Sequence, residues 1–241
     1  MPPALPPTPP GTRRWRRALG QGVLIALLLV LFWQLVLFTQ VLWWSRFDPA
    51  STSFMRLRLN ELRARDPAAR LHHHWVRYEQ ISPHLKRAVV AAEDDRFIDH
   101  QGFDWEGIQR AIEKNRDRGR LAAGGSTISQ QLAKNLFLSP SRSWLRKAQE
   151  SVLTVMIETS WDKRRILEVY LNVVEWGDAI FGIEAAAQHY YALPASRLTP
   201  TQAARLAVML PNPRRYQHSF GPALQQHAHR IEQRMRVSRI P

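Results

Sequence analysis

Gly124-Gly125-Ser126-Thr127-Ile128-Ser129-Gln130-Gln131-Leu132-Ala133-Lys134-Asn135 combines a chain break, a cap and a helix start in one run. The glycines interrupt what precedes them, and Ser126 or Thr127 offers a hydroxyl to the free amides of a first turn. Ile128, Leu132 and Leu136 then fall at i, i+4 and i+8 on one face, while Gln130, Gln131 and Lys134 share another. A glycine turn followed by helix-start amides and hydroxyls favours an anion, and Lys134 adds a point charge suited to phosphate. The Gly-Lys-Ser/Thr ending of a nucleotide-binding phosphate loop is missing, so nucleotide hydrolysis is unsupported. Taken alone, the run also fits an ordinary helix start.

The same grammar continues on both sides. Ser82-Pro83 places a cap and an N1 proline before a helix predicted to run to about Phe97. Asp104 can cap a helix carrying Trp105, Ile108 and Ile112 at helical spacing. A longer helix is predicted from about Ser143 to Trp161, and Asp162 caps another with Ile166, Leu167, Tyr170, Leu171 and Val174 as its core stripe. Thr199-Pro200-Thr201-Gln202 reads as a capping box before a helix ending at Leu210-Pro211, and Pro222 starts a last amphipathic helix. No run alternates convincingly like a strand, and no internal repeat is present. The expectation is a mainly α, single helical domain.

What precedes that domain differs in character. Residues 2–10 are proline-rich and expected to be disordered, and Arg13, Arg14, Arg16 and Arg17 follow. The run from Gly22 to Trp44 is uncharged; about 23 residues make a helix of about 34 Å, enough to cross a bilayer core of about 30 Å. Trp43 and Trp44 stand where an interfacial aromatic belt is expected. The run is longer than a signal-peptide core and lacks small residues for cleavage, which favours a retained anchor. The arginines before it favour a cytoplasmic N-terminus and an exported domain. The expected organisation is a disordered basic tail over 1–19, a transmembrane anchor over 20–45, a juxtamembrane connector over 46–77 and a folded domain over 78–241.

Charge narrows the partners. The chain carries 34 Lys+Arg against 20 Asp+Glu, a net +14, and setting the four leading arginines aside leaves about +10 for the exported part. A basic domain tethered at a membrane should meet anionic lipid or a phosphorylated substrate, and export argues against nucleic acid. With no cysteine, disulfides and thiol chemistry are excluded. In the connector, Arg56, Arg58, Arg63 and Arg65 alternate with Leu57, Leu59 and Leu62. That pattern suits lying along a membrane or a groove, and equally an amphipathic helix leading into the domain. His72-His73-His74 is expected to be solvated or packed, because adjacent residues do not converge on one metal ion.

Two carboxylates stand out. Glu93 follows the apolar run Ala88-Val89-Val90-Ala91-Ala92 and precedes Asp94 and Asp95. Partial desolvation and neighbouring negative charge both raise a carboxyl pKa, the direction a general base near neutrality needs. The plainer reading is a solvated acidic helix end. Arg146 and Glu150 stand at i and i+4, with Lys147 beside them. This is either a surface ion pair of about 0.2–0.5 kcal/mol or a pair of phosphate-binding cations with Glu150 positioning a cation or a proton.

Taken in order, these runs resemble the five motifs of the bacterial peptidoglycan glycosyltransferases (glycosyltransferase family 51). The first is matched by Glu93, Asp94, Phe97, His100, Gly102 and Asp104, the second by Gly124 through Asn135, and the third by Arg146, Lys147 and Glu150. The fourth resembles Lys163 through Asn172 and the fifth Gly182 through Tyr191. Similarity runs from about Tyr78 to Tyr216, and the roughly 25 residues that follow are too few for a transpeptidase domain. The resemblance is therefore to the monofunctional biosynthetic transglycosylases within the family. Ala179 departs from a frequent glycine, and Leu193 from a frequent lysine; both bear on loop shape rather than on activity.

The resemblance implies a lysozyme-like helical fold with a large lobe and a smaller membrane-facing lobe. It implies a single-pass protein of the bacterial inner membrane with its catalytic domain in the periplasm, polymerising lipid II onto a lipid-linked nascent glycan. Glu93 and Glu150 are the catalytic candidates. Asp94, Ser126, Thr127, Gln130, Gln131, Lys134, Asn135, Arg146 and Lys147 are the substrate-binding candidates. Glu150 is expected to orient the cations, hold Mg²⁺ or Mn²⁺, or assist departure of the leaving group. Cell-division or elongation proteins are candidate partners. The rival readings are a lysozyme-like lytic enzyme and a non-catalytic scaffold of the cell-wall machinery.

Overall fold

In a computed structural model the chain divides into two units, residues 1–43 and 44–241. Residues 11–117, 125–141 and 143–241 are described; the proline-rich residues 2–10 and the Gly124 half of the glycine pair lie outside them. Helix α1 spans Gly11–Trp44. Its segment Ala18–Trp44, 27 residues, is long and apolar enough to cross a membrane. Leu24, Leu28, Leu31 and Phe32 on it are exposed, the distribution expected of a helix whose solvent is lipid. The helix begins at Gly11, so residues 11–19, expected in a disordered tail, are helical. Once past Pro10 nothing there breaks a helix, and arginine is among its better formers.

The second unit is mainly helical. In chain order it contains α2 (Ser53–Arg63), strand β1 (His72–His73), α3 (Pro83–Glu93), α4 (Trp105–Asp117), α5 (Ile128–Phe137), α6 (Trp144–Ser160) and α7 (Lys163–Val173). Strands β2 (Glu175–Gly177) and β3 (Ile180–Phe181) follow, then α8 (Ile183–Tyr191), α9 (Pro200–Ala207), α10 (Pro213–Tyr216) and α11 (Pro222–Arg234). The helix starts are made by local side-chain oxygens. Ser82, Thr127, Ser143, Asp162 and Thr199 each accept a hydrogen bond from an amide of the first turn, and Thr127 and Thr199 complete capping boxes with Gln130 and Gln202.

Three expectations are corrected. Helix α3 stops at Glu93, not near Phe97, because Asp94 leaves helical geometry at φ −162°, ψ 73°. That turn carries the Asp94 carboxylate to partners on other elements, and Phe97 is buried beyond it. A small sheet exists, ordered β1-β3-β2, with β1 parallel and β2 antiparallel to β3. Its two- and three-residue strands are too short to show alternation, and the histidine tract supplies one of them, His73 Nε2 donating to the Asn172 carbonyl at 3.0 Å. The connector, finally, belongs to the second unit: α2 packs on α5 and β1 joins the sheet. Arg56, Arg58 and Arg63 of its arginine pattern lie on α2, with Met55 buried and Arg58 paired with Glu61 and Asp178.

Two packing layers carry the functional elements. Helix α3 packs against α9 and α11, and α5 packs against α6 and α7. Leu132, Leu136, Leu153, Ile157, Ile166 and Tyr170 are fully or almost fully buried where α5, α6 and α7 meet. Burial of a large side chain contributes about 1.5–3 kcal/mol, so this apolar layer fixes the helix faces that carry polar groups.

Candidate active site

Glu93 is the last residue of α3, and α5 supplies its partner. Gln131 Nε2 donates to Glu93 Oε2 at 2.8 Å. Tyr170 of α7 donates its phenolic O–H to the Oε1 of the same amide at 2.9 Å. Burial pushes the Glu93 carboxyl up; the Gln131 hydrogen bond opposes this, the Asp94 charge adds to it and Lys134 opposes it again. The glutamate is thus a carboxylate held by a neutral amide rather than neutralised by an ion pair, which keeps it basic. Glu93 is half-buried and lines a cavity beside the exposed Asp95.

Lys134 lies one turn after Gln131. It is partly buried, and no hydrogen bond or ion pair engages its Nζ among the described residues. Burial lowers its pKa, Glu150 raises it, Arg146 and Lys147 lower it, and Glu93 raises it. It therefore feels both the glutamate of α3 and the charged cluster of α6. In that cluster Glu150 is 3% exposed. Its Oε2 accepts from Arg146 Nη1 at 2.6 Å and its Oε1 from Lys147 Nζ. This is not a surface ion pair. A buried carboxylate with cations on both oxygens is a strut, and it holds two positive side chains in one orientation.

Other expected site residues serve the scaffold. Asp94 is buried and both its oxygens are used: Oδ1 meets His100 Nε2 at 2.8 Å and Oδ2 accepts from the Ile128 amide at 3.0 Å. Thr127 Oγ1 donates to the Gly102 carbonyl at 2.7 Å and accepts from the Gln130 amide, while Gln130 Oε1 accepts from the Thr127 amide. Of the amides at the start of α5, expected to grip an anion, those of Thr127, Ile128 and Gln130 are thus already bound by Gln130, Asp94 and Thr127. Asn135 donates to the Gln131 carbonyl within its own helix. Ser126 is exposed and lines a cavity of about 180 Å³ with Glu93, Asp104, Gly125 and Arg234 of α11. Gly102 shapes its approach: its φ is +87°, and a Cβ there would sit 2.8 Å from Thr154 Cγ2.

The structure thus brings together Glu93, Gln131, Lys134, Arg146, Lys147 and Glu150. Asp94 and Thr127 tie the start of α5 to neighbouring segments, while Gln130 and Asn135 bond within α5 and its cap. Sequence reasoning missed two members of the assembly. Tyr170 reads in the sequence as one more residue of the core stripe. Arg234, paired with Asp95 at 3.1 Å, comes from a helix far along the chain and carries no local signal.

Glu150 was also a candidate ligand for Mg²⁺ or Mn²⁺. Both of its oxygens hold cationic side chains, and among the described residues no three His, Asp or Glu side chains group closely enough to hold a metal ion. This donor set does not fit a divalent cation held by the protein alone.

The sequence has counterparts among known proteins. A family model described as Transglycosylase matches residues 60–237. A biosynthetic peptidoglycan transglycosylase of Azoarcus sp. is 68% identical over 228 residues, covering 95% of this chain and 97% of that protein. Proteins of the same description from Aromatoleum aromaticum and Dechloromonas aromatica are 65% and 60% identical, covering 93% and 84% of this chain and 98% and 87% of their own. With the model spanning most of the second unit and full-length identity this high, the chain is a member of the transglycosylase family.

Proposed function

We propose that this chain is a peptidoglycan glycosyltransferase that polymerises lipid II into β-1,4-linked glycan with release of undecaprenyl pyrophosphate. The observation that carries the reading is the division of labour in the site: one enclosed, amide-held carboxylate at Glu93, and a separate cation pair locked on buried Glu150. Glu93 takes the proton of the acceptor 4-hydroxyl as its oxygen attacks the donor anomeric carbon. The bond from that carbon to pyrophosphate breaks, and an α-linked donor becomes a β-1,4 link. Inversion requires the base on the face opposite the leaving group, which suits two separate clusters. Lys134, Arg146 and Lys147 stabilise the charge developing on pyrophosphate, in place and needing no reorganisation. Glu150 orients those cations.

The anchor supports a membrane-bound enzyme. In this reading α1 crosses the bacterial inner membrane with its N-terminus in the cytoplasm, and the second unit works in the periplasm. Both lipid-linked substrates then share the plane of the enzyme, which raises their effective concentration. The test is the purified full chain with labelled lipid II, resolved on a product gel with and without a chelator, beside a parallel incubation with sacculi. A ladder of polymer that survives the chelator is expected. Release of fragments from sacculi with no polymer from lipid II would establish the lytic reading instead.

A further inference from the structure

We infer that Tyr170 is a positioning residue for the base: its phenol fixes which end of the Gln131 amide faces Glu93. This deepens the reading of Glu93 as general base and rests on it. Tyr170 is wholly buried on α7, and its O–H donates to Gln131 Oε1, whose Nε2 donates to Glu93 Oε2. An amide can turn over and exchange its two ends, and what prevents this is the demand of its neighbours. With the amide reversed, Oε1 would oppose the carboxylate, acceptor against acceptor. The Tyr170 proton would lose its acceptor, for no other bond from this hydroxyl exists among the described residues. A buried donor without an acceptor is disfavoured. One phenol proton therefore sets the polarity of a chain of three side chains from three helices.

The phenol remains a donor at any pH at which the protein works. Burial, then the charges of Glu93 and Asp94, push its ionisation well above the ordinary tyrosine range. The groups facing Glu93 are Asp94 at the end of α3, Gln131 and Lys134 on α5 and Tyr170 on α7; Asp95, Asp104 and Arg234 line the adjoining cavity. Lys134 in turn is coupled to Arg146, Lys147 and Glu150 on α6. Of these only Gln131 gives Glu93 a direct hydrogen bond, so its orientation is the adjustable element.

The experiment uses the full chain in detergent with ¹³C-labelled glutamate, the Glu93 carboxyl signal being assigned by its loss in Glu93→Gln. Its titration midpoint is read in wild type, Tyr170→Phe, Gln131→Met and the double variant, beside the pH profile of lipid II polymerisation. The charged carboxylate selects the Nε2 end by itself, but without the phenol the amide can turn over once Glu93 is protonated and accept its O–H through Oε1. The protonated form thus gains a hydrogen bond that the wild-type orientation denies it. The midpoint in Tyr170→Phe is expected to rise by about one pH unit, equivalent to a tenfold change in proton affinity. Polymerisation falls about tenfold on the acid limb by the same reasoning and converges on wild type at high pH. A purely structural tyrosine would lower the rate by one factor at every pH. The double variant, which leaves neither partner unpaired, is expected to titrate with Gln131→Met alone.

An unchanged midpoint in Tyr170→Phe, or additive shifts in the double variant, would overturn the inference. Because the carboxyl signal does not depend on turnover, a failure of the base reading is seen separately, as polymer made by Glu93→Gln.

Discussion

Replacing Asp94 by alanine removes both acceptors that tie the end of α3 to the start of α5. The Ile128 amide, bonded to Oδ2 at 3.0 Å, belongs to a fully buried residue, and His100 Nε2 loses the Oδ1 contact at 2.8 Å. Leaving a buried donor unpaired costs about 1–3 kcal/mol, and losing a hydrogen bond to a charged group costs about 1.5–3 kcal/mol. The sum, about 3–5 kcal/mol, corresponds to a fall in Tm of about 10–15 °C for a unit of this size. Asp94→Asn retains one acceptor for the Ile128 amide and is expected to lose about half as much. Helix α5 carries Gln131 and Lys134, so kcat should fall together with Tm. The Asp94 charge also raises the Glu93 pKa. Its removal lowers that pKa, and the acid limb of the rate moves to lower pH. The assay is thermal melting by circular dichroism beside initial rates at several lipid II concentrations and pH values. An Asp94→Ala protein with wild-type Tm and only a raised KM would refute this reasoning and return Asp94 to substrate binding.

Three further perturbations separate scaffold from site. Ala179, between β2 and β3, has φ +61°, a left-handed conformation costing a residue with a Cβ about 1–2 kcal/mol. After the greater entropy of glycine in the unfolded chain, Ala179→Gly is expected to stabilise by about 0.5–1 kcal/mol and raise Tm by a few degrees, with unchanged polymerisation; a lower Tm would contradict it. Glu175 is pushed up from 4.5 to about 7 by burial, with Arg214 and Arg58 opposing. The folded state therefore binds this proton more tightly than the unfolded, and stability falls as pH rises from about 4.5 through about 7. Glu175→Gln should gain Tm over wild type at pH 8 and little at pH 4, and an equal gain at both would count against it. In Glu150→Ala, Arg146 and Lys147 lose their strut, and polymerisation should fall, with a loss of thermal stability smaller than the about 3–5 kcal/mol of a wholly buried pair because Lys147 and part of Arg146 reach solvent. Full activity there would reduce the α6 cluster to an incidental ion pair.

Helix starts were legible because a cap is local chemistry. Ser82, Ser143, Asp162 and Thr199 act on amides two or three residues away, and the spacing shows it. The end of α3 was not legible, because Asp94 turns out of the helix toward an amide 34 residues later in the chain. The sheet escaped notice for the same reason: β1 and β3 are held by pairing across more than a hundred residues, not by their own pattern. Within the site, Glu93 and the α6 cluster could be named from charge, spacing and family resemblance. What could not be read was the direction of each hydrogen bond. Thr127 and Gln130 turn inward to cap their own helix, whereas the neighbouring Gln131 turns to Glu93, a difference of one position that only packing decides. The departure at Ala179 was visible as a missing glycine, and its left-handed backbone gives the physical reason a glycine is frequent there.

The role of Glu93 is tested most directly by the initial rate at which purified Glu93→Gln polymerises labelled lipid II, measured beside wild type at equal folded fraction. Glutamine can fill the space and hydrogen-bond to Gln131, but it cannot take the proton of the acceptor hydroxyl. A loss of about 10²–10⁴-fold with an unchanged melting curve is expected, the range a general base contributes. Polymer formed at the wild-type rate would show that the proton leaves by another route and that Glu93 is not the base.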